Sequence, residues 1–131
     1  MIRHRPNKSG PVPLGCPLET SLKLLAGAWT PQILWYLRTE VRRFGDLKRD
    51  LGNISAKVLT TRLKELEKRG VITREVKPTS PPTVEYALTH LGRKLGPILE
   101  SIAEVGGELV RIEVRGEIPK KMREKAGALS A

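Results

Sequence analysis

Apolar residues recur along the chain first at intervals of three and four, then at intervals of two, and the change of period separates helices from a hairpin. Leu18, Leu22 and Leu25 share a helical face that begins at Cys16-Pro17 and ends at Gly27. Proline at the first helical position gives up no needed hydrogen bond there. A second helix opens at Thr30-Pro31, with Thr30 as N-cap, Pro31 at the first position and Trp29 packed against Leu34 across the cap. Ile33, Leu34 and Leu37 point inward, and the helix stops near Thr39. Phe44, Leu47 and Leu51 mark a short third helix, and Gly52-Asn53 a turn. Ser55 caps a fourth helix, whose inner face is Leu59, Leu63 and Leu66 and whose stop is Gly70.

Residues 71–77 are rich in β-branched side chains, Pro78, Pro81 and Pro82 mark a turn, and Val84, Tyr86 and Leu88 alternate with Thr83, Glu85 and Ala87. Two short helices joined by a glycine-containing turn make a helix-turn-helix, and the β-hairpin that follows is its wing. Thr89 caps a long last helix with an apolar stripe of Leu91, Leu95, Ile98, Leu99, Ile102, Val105 and Leu109, which Pro97 is expected to bend. The fold class expected is α+β and mainly helical, a winged helix-turn-helix with N- and C-terminal dimerisation helices. Residues 1–15 read as a basic arm, 16–110 as the folded domain and 111–131 as a charged tail with a short helix after Pro119. The last stripe is longer than a lone domain of this size needs for its core. Leu18, Leu22, Leu95, Leu99, Ile102, Val105 and Leu109 are therefore expected to form a homodimer interface.

Charge narrows the partner. The 131 residues hold 24 Lys and Arg against 14 Asp and Glu, a formal charge of +10 that attracts polyanions such as nucleic acid. With 39% hydrophobic residues the chain folds rather than acting as a disordered basic tail, and 4% aromatics are too few for a single-strand stacking platform. A single cysteine, Cys16, excludes an intramolecular disulfide and a structural zinc site. No run approaches the roughly 20 apolar residues needed to cross a bilayer, and the start carries no apolar signal core, so a cytoplasmic location is expected. His4 and His90 stand without a paired nucleophile, a metal-spaced cluster or a phosphate-cradling glycine loop, and neither an enzyme nor a cofactor is expected.

The linked motifs resemble the HxlR family of winged-helix regulators. The residues that carry the resemblance are Cys16-Pro17-Leu18-Glu19, Gly27-Ala28-Trp29-Thr30, Arg42-Arg43-Phe44 with Leu47 and Leu51, and residues 54–59. Arg62-Leu63, Leu66-Glu67, Gly70-Val71-Ile72, Pro81-Pro82, residues 84–89 and Leu91-Gly92 complete the set. The match spans roughly Cys16 to Val105; Ala56 stands where proline is common in such proteins. The resemblance implies a homodimer that binds double-stranded DNA at an operator near a promoter. It also implies a sensing role for Cys16, because some family members use a cysteine at the matching Cys-Pro position to detect oxidants or electrophiles. At a helix start the peptide dipoles favour the thiolate, while the simpler reading of a lone cysteine is a small packed hydrophobe.

On the fourth helix the face opposite its leucines carries Lys57, Thr61, Lys64 and Lys68. As the second helix of the motif it is the one that enters the major groove. Lys57 and Arg62 can donate to guanine or phosphate, and Thr60 and Thr61 offer hydroxyls and methyl contact with thymine. Ser55 caps the helix, whose N-terminus can also face a phosphate. Lys77, Thr79 and Ser80 at the wing tip are expected near the minor groove or a phosphate, and Arg42 and Arg43 near the DNA backbone, unless they form a solvent-exposed strand. Two alternatives stay open: an architectural protein that coats DNA without sequence preference, and a winged helix that binds another protein. No small-molecule effector can be named from the residues.

Overall fold

The computed structural model describes residues 15–116, so the basic arm, apart from Gly15, and the expected helix after Pro119 lie outside the described residues. The helices are α1 (Pro17–Leu25), α2 (Thr30–Leu37), α3 (Phe44–Leu51), α4 (Ala56–Lys68), α5 (His90–Arg93) and α6 (Leu95–Arg115). Strands β1 (Arg42–Arg43), β2 (Ile72–Lys77) and β3 (Thr83–Leu88) form an antiparallel sheet in the order β1-β3-β2. α3 and α4 are the expected helix-turn-helix, and β2 and β3 are its wing.

The core gathers the helical and strand faces that the periodicity predicts. Ile33 and Leu34 of α2, Leu47 of α3, Leu59, Leu63 and Leu66 of α4, and Ile72 at the base of the wing are essentially sealed from solvent. Leu25, Leu37, Leu51, Ile54, Val71, Tyr86, Leu88 and Leu99 complete it, with Trp29, Trp35, Phe44 and Leu95 packed on its margin. The stops are as expected: Gly70 is left-handed at φ 78° after α4, and Gly52 has φ 74° between α3 and α4. Close approach also fixes Gly92, where an added Cβ would collide with the carbonyl oxygen of Val71. Thr89 ties the same corner together. Its N–H donates to Val71 O at 3.0 Å and its hydroxyl to Gly70 O at 2.7 Å, while Oγ1 accepts from Gly92 N at 3.0 Å.

Three expectations are corrected. The cap of α2 is Trp29 rather than Thr30: Trp29 adopts φ 66°, Thr30 begins the helix and Pro31 follows it. The short link from α1 turns through a left-handed residue, and the Thr30 N–H closes it onto Gly27 O at 3.0 Å. Bulky residues seldom adopt that conformation, and here the Trp29 ring is packed against the core. The long last helix is two helices. Thr89 caps only α5, and the chain breaks at Lys94 rather than bending at Pro97. Pro97 cannot donate to the carbonyl of Arg93 and its ring crowds that group, so the disruption falls one turn upstream. Arg42 and Arg43 form the strand that had stayed open as an alternative, with Arg42 opposite Tyr86 and Arg43 opposite Glu85. At the other end α6 runs to Arg115 and stops at Gly116, so residues 111–115 are helical rather than tail.

Candidate nucleic-acid interface

α4 displays its polar face because its apolar face is anchored. At about 100° per residue, the positions opposite Leu59, Leu63 and Leu66 are Lys57, Thr61, Lys64 and Lys68, all exposed. Ser55 Oγ accepts the Val58 N–H at 3.1 Å, which satisfies one orphan donor of the first turn. Thr60 and Thr61 donate their hydroxyl protons back to Ala56 O and Lys57 O, at 2.7 and 3.0 Å. Their lone pairs and methyl groups remain for a ligand, so in this rotamer they accept hydrogen bonds rather than donate them. Lys57 and Lys64 form no ion pair among the described residues. Arg62 lies on one flank, its guanidinium paired with Glu65 at 2.8 Å, and Thr60 lies on the other.

In the wing Lys77 is held by acids of its own sheet, 3.1 Å from Glu75 and 3.9 Å from Glu85. Glu75 and Glu85 face one another across the ladder, and the ammonium offsets the repulsion between them. At the tip Thr79 donates to Pro81 O at 2.8 Å and lies 3.2 Å from the Thr83 hydroxyl, while Ser80 is exposed. Arg42 is engaged by Glu40 and Asp50 at 3.0 and 3.2 Å, with Tyr36 beneath its guanidinium at 5.9 Å. Arg43 is exposed, and its N–H donates to the Asp46 carboxylate at 3.4 Å. The structure thus brings Lys57, Thr61 and Lys64 together on one open helix face, with Ser55 exposed at the helix start. Arg42, Arg62 and Lys77 are each engaged by an internal carboxylate, which any other anion would have to displace.

A groove of 430 Å³ separates α4 from the wing, lined by Phe44, Leu63, Val84 and Tyr86 with Thr60, Lys64, Glu67 and Arg74. Arg74 was not among the expected contacts. Strand alternation puts it on the same side as Ile72, which faces the core, and that signal was available in the sequence.

The two ends of the domain carry the open apolar surface. Leu18 of α1 is 68% exposed, and Leu22 lies beside it in a patch with Cys16 and Ala26. Cys16 is the N-cap residue of α1 and is half-buried. Along α6, Ile98, Ile102, Val105, Leu109, Val110 and Val114 are all exposed. Leu99, expected on that surface, is 5% exposed and belongs to the core, with Leu95 partly buried beside it. A shallow groove of 300 Å³ between α2 and α6 is lined by Trp35, Tyr36, Leu99 and Ile102. Arg38 stacks 3.7 Å above Trp35 and reaches Glu100 at 3.4 Å, which ties the two helices together. Among the described residues no helix is long and apolar enough to cross a membrane, and no group of acids, histidine or cysteine is arranged to hold a metal ion.

The sequence profile of the HxlR-like helix-turn-helix family matches residues 24–113. The HTH-type transcriptional regulator YdeP of Bacillus subtilis is 40% identical over 92 residues, which cover 70% of this chain and 72% of YdeP. Among solved structures, a MarR-family transcriptional regulator from Porphyromonas gingivalis superposes with a TM-score of 0.68 at 38% identity, covering 81% of this chain and 98% of that one. The redox regulator HypR in its oxidised form gives 0.66 at 37% identity, covering 70% and 95%.

Proposed function

The chain belongs to the HxlR-like helix-turn-helix family of transcriptional regulators, and from that premise we propose that it is a cytoplasmic, sequence-specific regulator that grips a pseudo-palindromic operator as a homodimer. The observation that carries this reading is the outward face of α4, where Lys57, Thr61 and Lys64 are exposed on a helix anchored by its leucines. That face supplies donors, acceptors and methyl groups to base edges of the major groove. The wing, with Lys77, Thr79 and Ser80, and the exposed Arg43 contact the flanking backbone. Arg62 and Arg42 add phosphate contacts by releasing Glu65 and Asp50. Two copies joined through the exposed faces of α1 and α6 set the α4 helices on half-sites about 34–36 Å apart, or a multiple of that.

Cys16 makes the regulator responsive to oxidants. It lies in the same apolar patch as Leu18 and Leu22, so two copies that meet there bring two thiols to the interface. Joining them as a disulfide releases two protons and gives two electrons to an oxidant such as diamide. The crosslink alters the separation of the recognition helices and lowers operator affinity. The likeness to HypR, a redox regulator, supports this part of the reading.

One experiment tests both halves: genome-wide selection of bound sites, then operator titration with wild type, Lys57→Ala and Cys16→Ser before and after diamide. Lys57→Ala is expected to cost about 1–3 kcal/mol, in a manner that depends on operator sequence. Diamide is expected to weaken wild type and not Cys16→Ser. Uniform protection of random fragments would point instead to DNA coating, and unchanged affinity of Lys57→Ala would remove α4 from the groove.

A further inference from the structure

We propose that Val58 is a base-reading residue, and that with Thr61 it recognises the C5-methyl group of a thymine in the major groove; the inference rests on the regulator function proposed above. Every other large apolar side chain of α4, Leu59, Leu63 and Leu66, is buried, whereas Val58 is 37% exposed. A valine exposed on a helix face adds little burial and less helix propensity than alanine would. The fold of the single chain therefore does not call for it. Val58 is the third residue of α4, in the half that meets base edges when such a helix lies in the groove. Side chains on a helix lean toward its N-terminus, so the Val58 methyl groups tilt toward the end that enters.

The position is held still. The Val58 N–H donates to Ser55 Oγ at 3.1 Å, so the residue belongs to a capped first turn. A valine has essentially one side-chain rotamer in a helix, and docking costs it little freedom. Thr61, three residues on, is its neighbour on the helix surface. The Thr61 hydroxyl donates to Lys57 O at 3.0 Å, which leaves a methyl group and lone pairs for a ligand. Val58 and Thr61 together thus offer methyl groups and an acceptor, but no donor. An A·T pair matches that set, because in the major groove it shows a thymine methyl group and the adenine N6 donor. Guanine does not, since its N7 and O6 are both acceptors, and cytosine brings a donor without a methyl group.

Deoxyuridine is the probe, because it differs from thymidine by the methyl group alone. Genome-wide selection with the full chain gives the half-site, and duplexes then carry deoxyuridine at one thymine position at a time, in both half-sites together. At one position the loss should weaken wild type about fourfold per half-site, the ratio expected for one buried methyl group. Val58→Ala trims an exposed side chain, so its thermal midpoint should match wild type. In Val58→Ala the ratio at that position should fall below twofold, and adding Thr61→Ser, which removes only a methyl group, should abolish what remains. A selected half-site with no fixed thymine, or deoxyuridine bound as well as thymidine at every position, would overturn the inference while the regulator stands. A methyl response that Val58→Ala retains in full would give the reading to another residue and overturn it equally. Selection that yields no discrete operator would sink the regulator reading itself, and this inference with it.

Discussion

At Gly92 the fold leaves room for a hydrogen and nothing larger. The obstacle to a side chain is the Val71 carbonyl, a backbone group that Thr89 already uses as an acceptor. It cannot swing aside as a flexible side chain would. Gly92→Ala is therefore expected to lower the free energy of unfolding by about 1–3 kcal/mol, as overpacking at a tight contact does. Chemical denaturation checks this, and an unchanged midpoint would show that α5 can move away from β2 freely. The same scale explains why Leu99 sits in the core although it shares a helix with exposed Ile102. Residues three apart on a helix diverge by about 60°, and that angle separates the face packed on α2 from the one left open. Spacing placed both in a single broad stripe, because a sequence does not tell where a neighbouring helix will cover it.

Among the elements, α4 owes its first turn to one side chain. Ser55→Ala removes the acceptor from the Val58 N–H and should cost about 1 kcal/mol of stability. Ser55→Asp should retain most of it, and equal thermal midpoints for Ser55→Ala and wild type would show that water replaces the cap. α3, α4 and the wing were legible in the sequence because each announces itself locally, through leucines at three and four, β-branched alternation, and glycines at Gly52 and Gly70. β1 stayed only an alternative, since two arginines carry no strand period and their pairing with Tyr86 and Glu85 is made far along the chain. The break at Lys94 was half legible: Pro97 signalled a disturbance, but a missing N–H is felt at the carbonyl four residues earlier. For the candidate interface, the cations on α4 could be read from their spacing, and the Arg62–Glu65 pair could have been read as well, at three residues apart. The engagement of Arg42 by Asp50 could not, because it depends on how β1 meets the end of α3.

For the whole molecule, the open faces of α1 and α6 bear on how many chains act together. Ile102 is 50% exposed, so a glutamate there leaves the core intact, while burying its carboxylate between two copies carries a heavy desolvation cost. Ile102→Glu is expected to raise the dimer dissociation constant about a hundredfold, ~2.7 kcal/mol, with unchanged helical content. Sedimentation of wild type as a monomer at micromolar concentration would remove the premise. The β1-β3-β2 order bears on assembly of another kind. With β3 covered on both sides, the long outer margin of β2 carries peptide groups that no strand satisfies, the usual template on which chains polymerise into fibrils. Arg74, Glu75 and Lys77 crowd that margin with charge, and Pro78 cuts it short. A foreign strand finds little purchase there, so the wing can project into solvent without seeding aggregation, and association between chains is left to the helices.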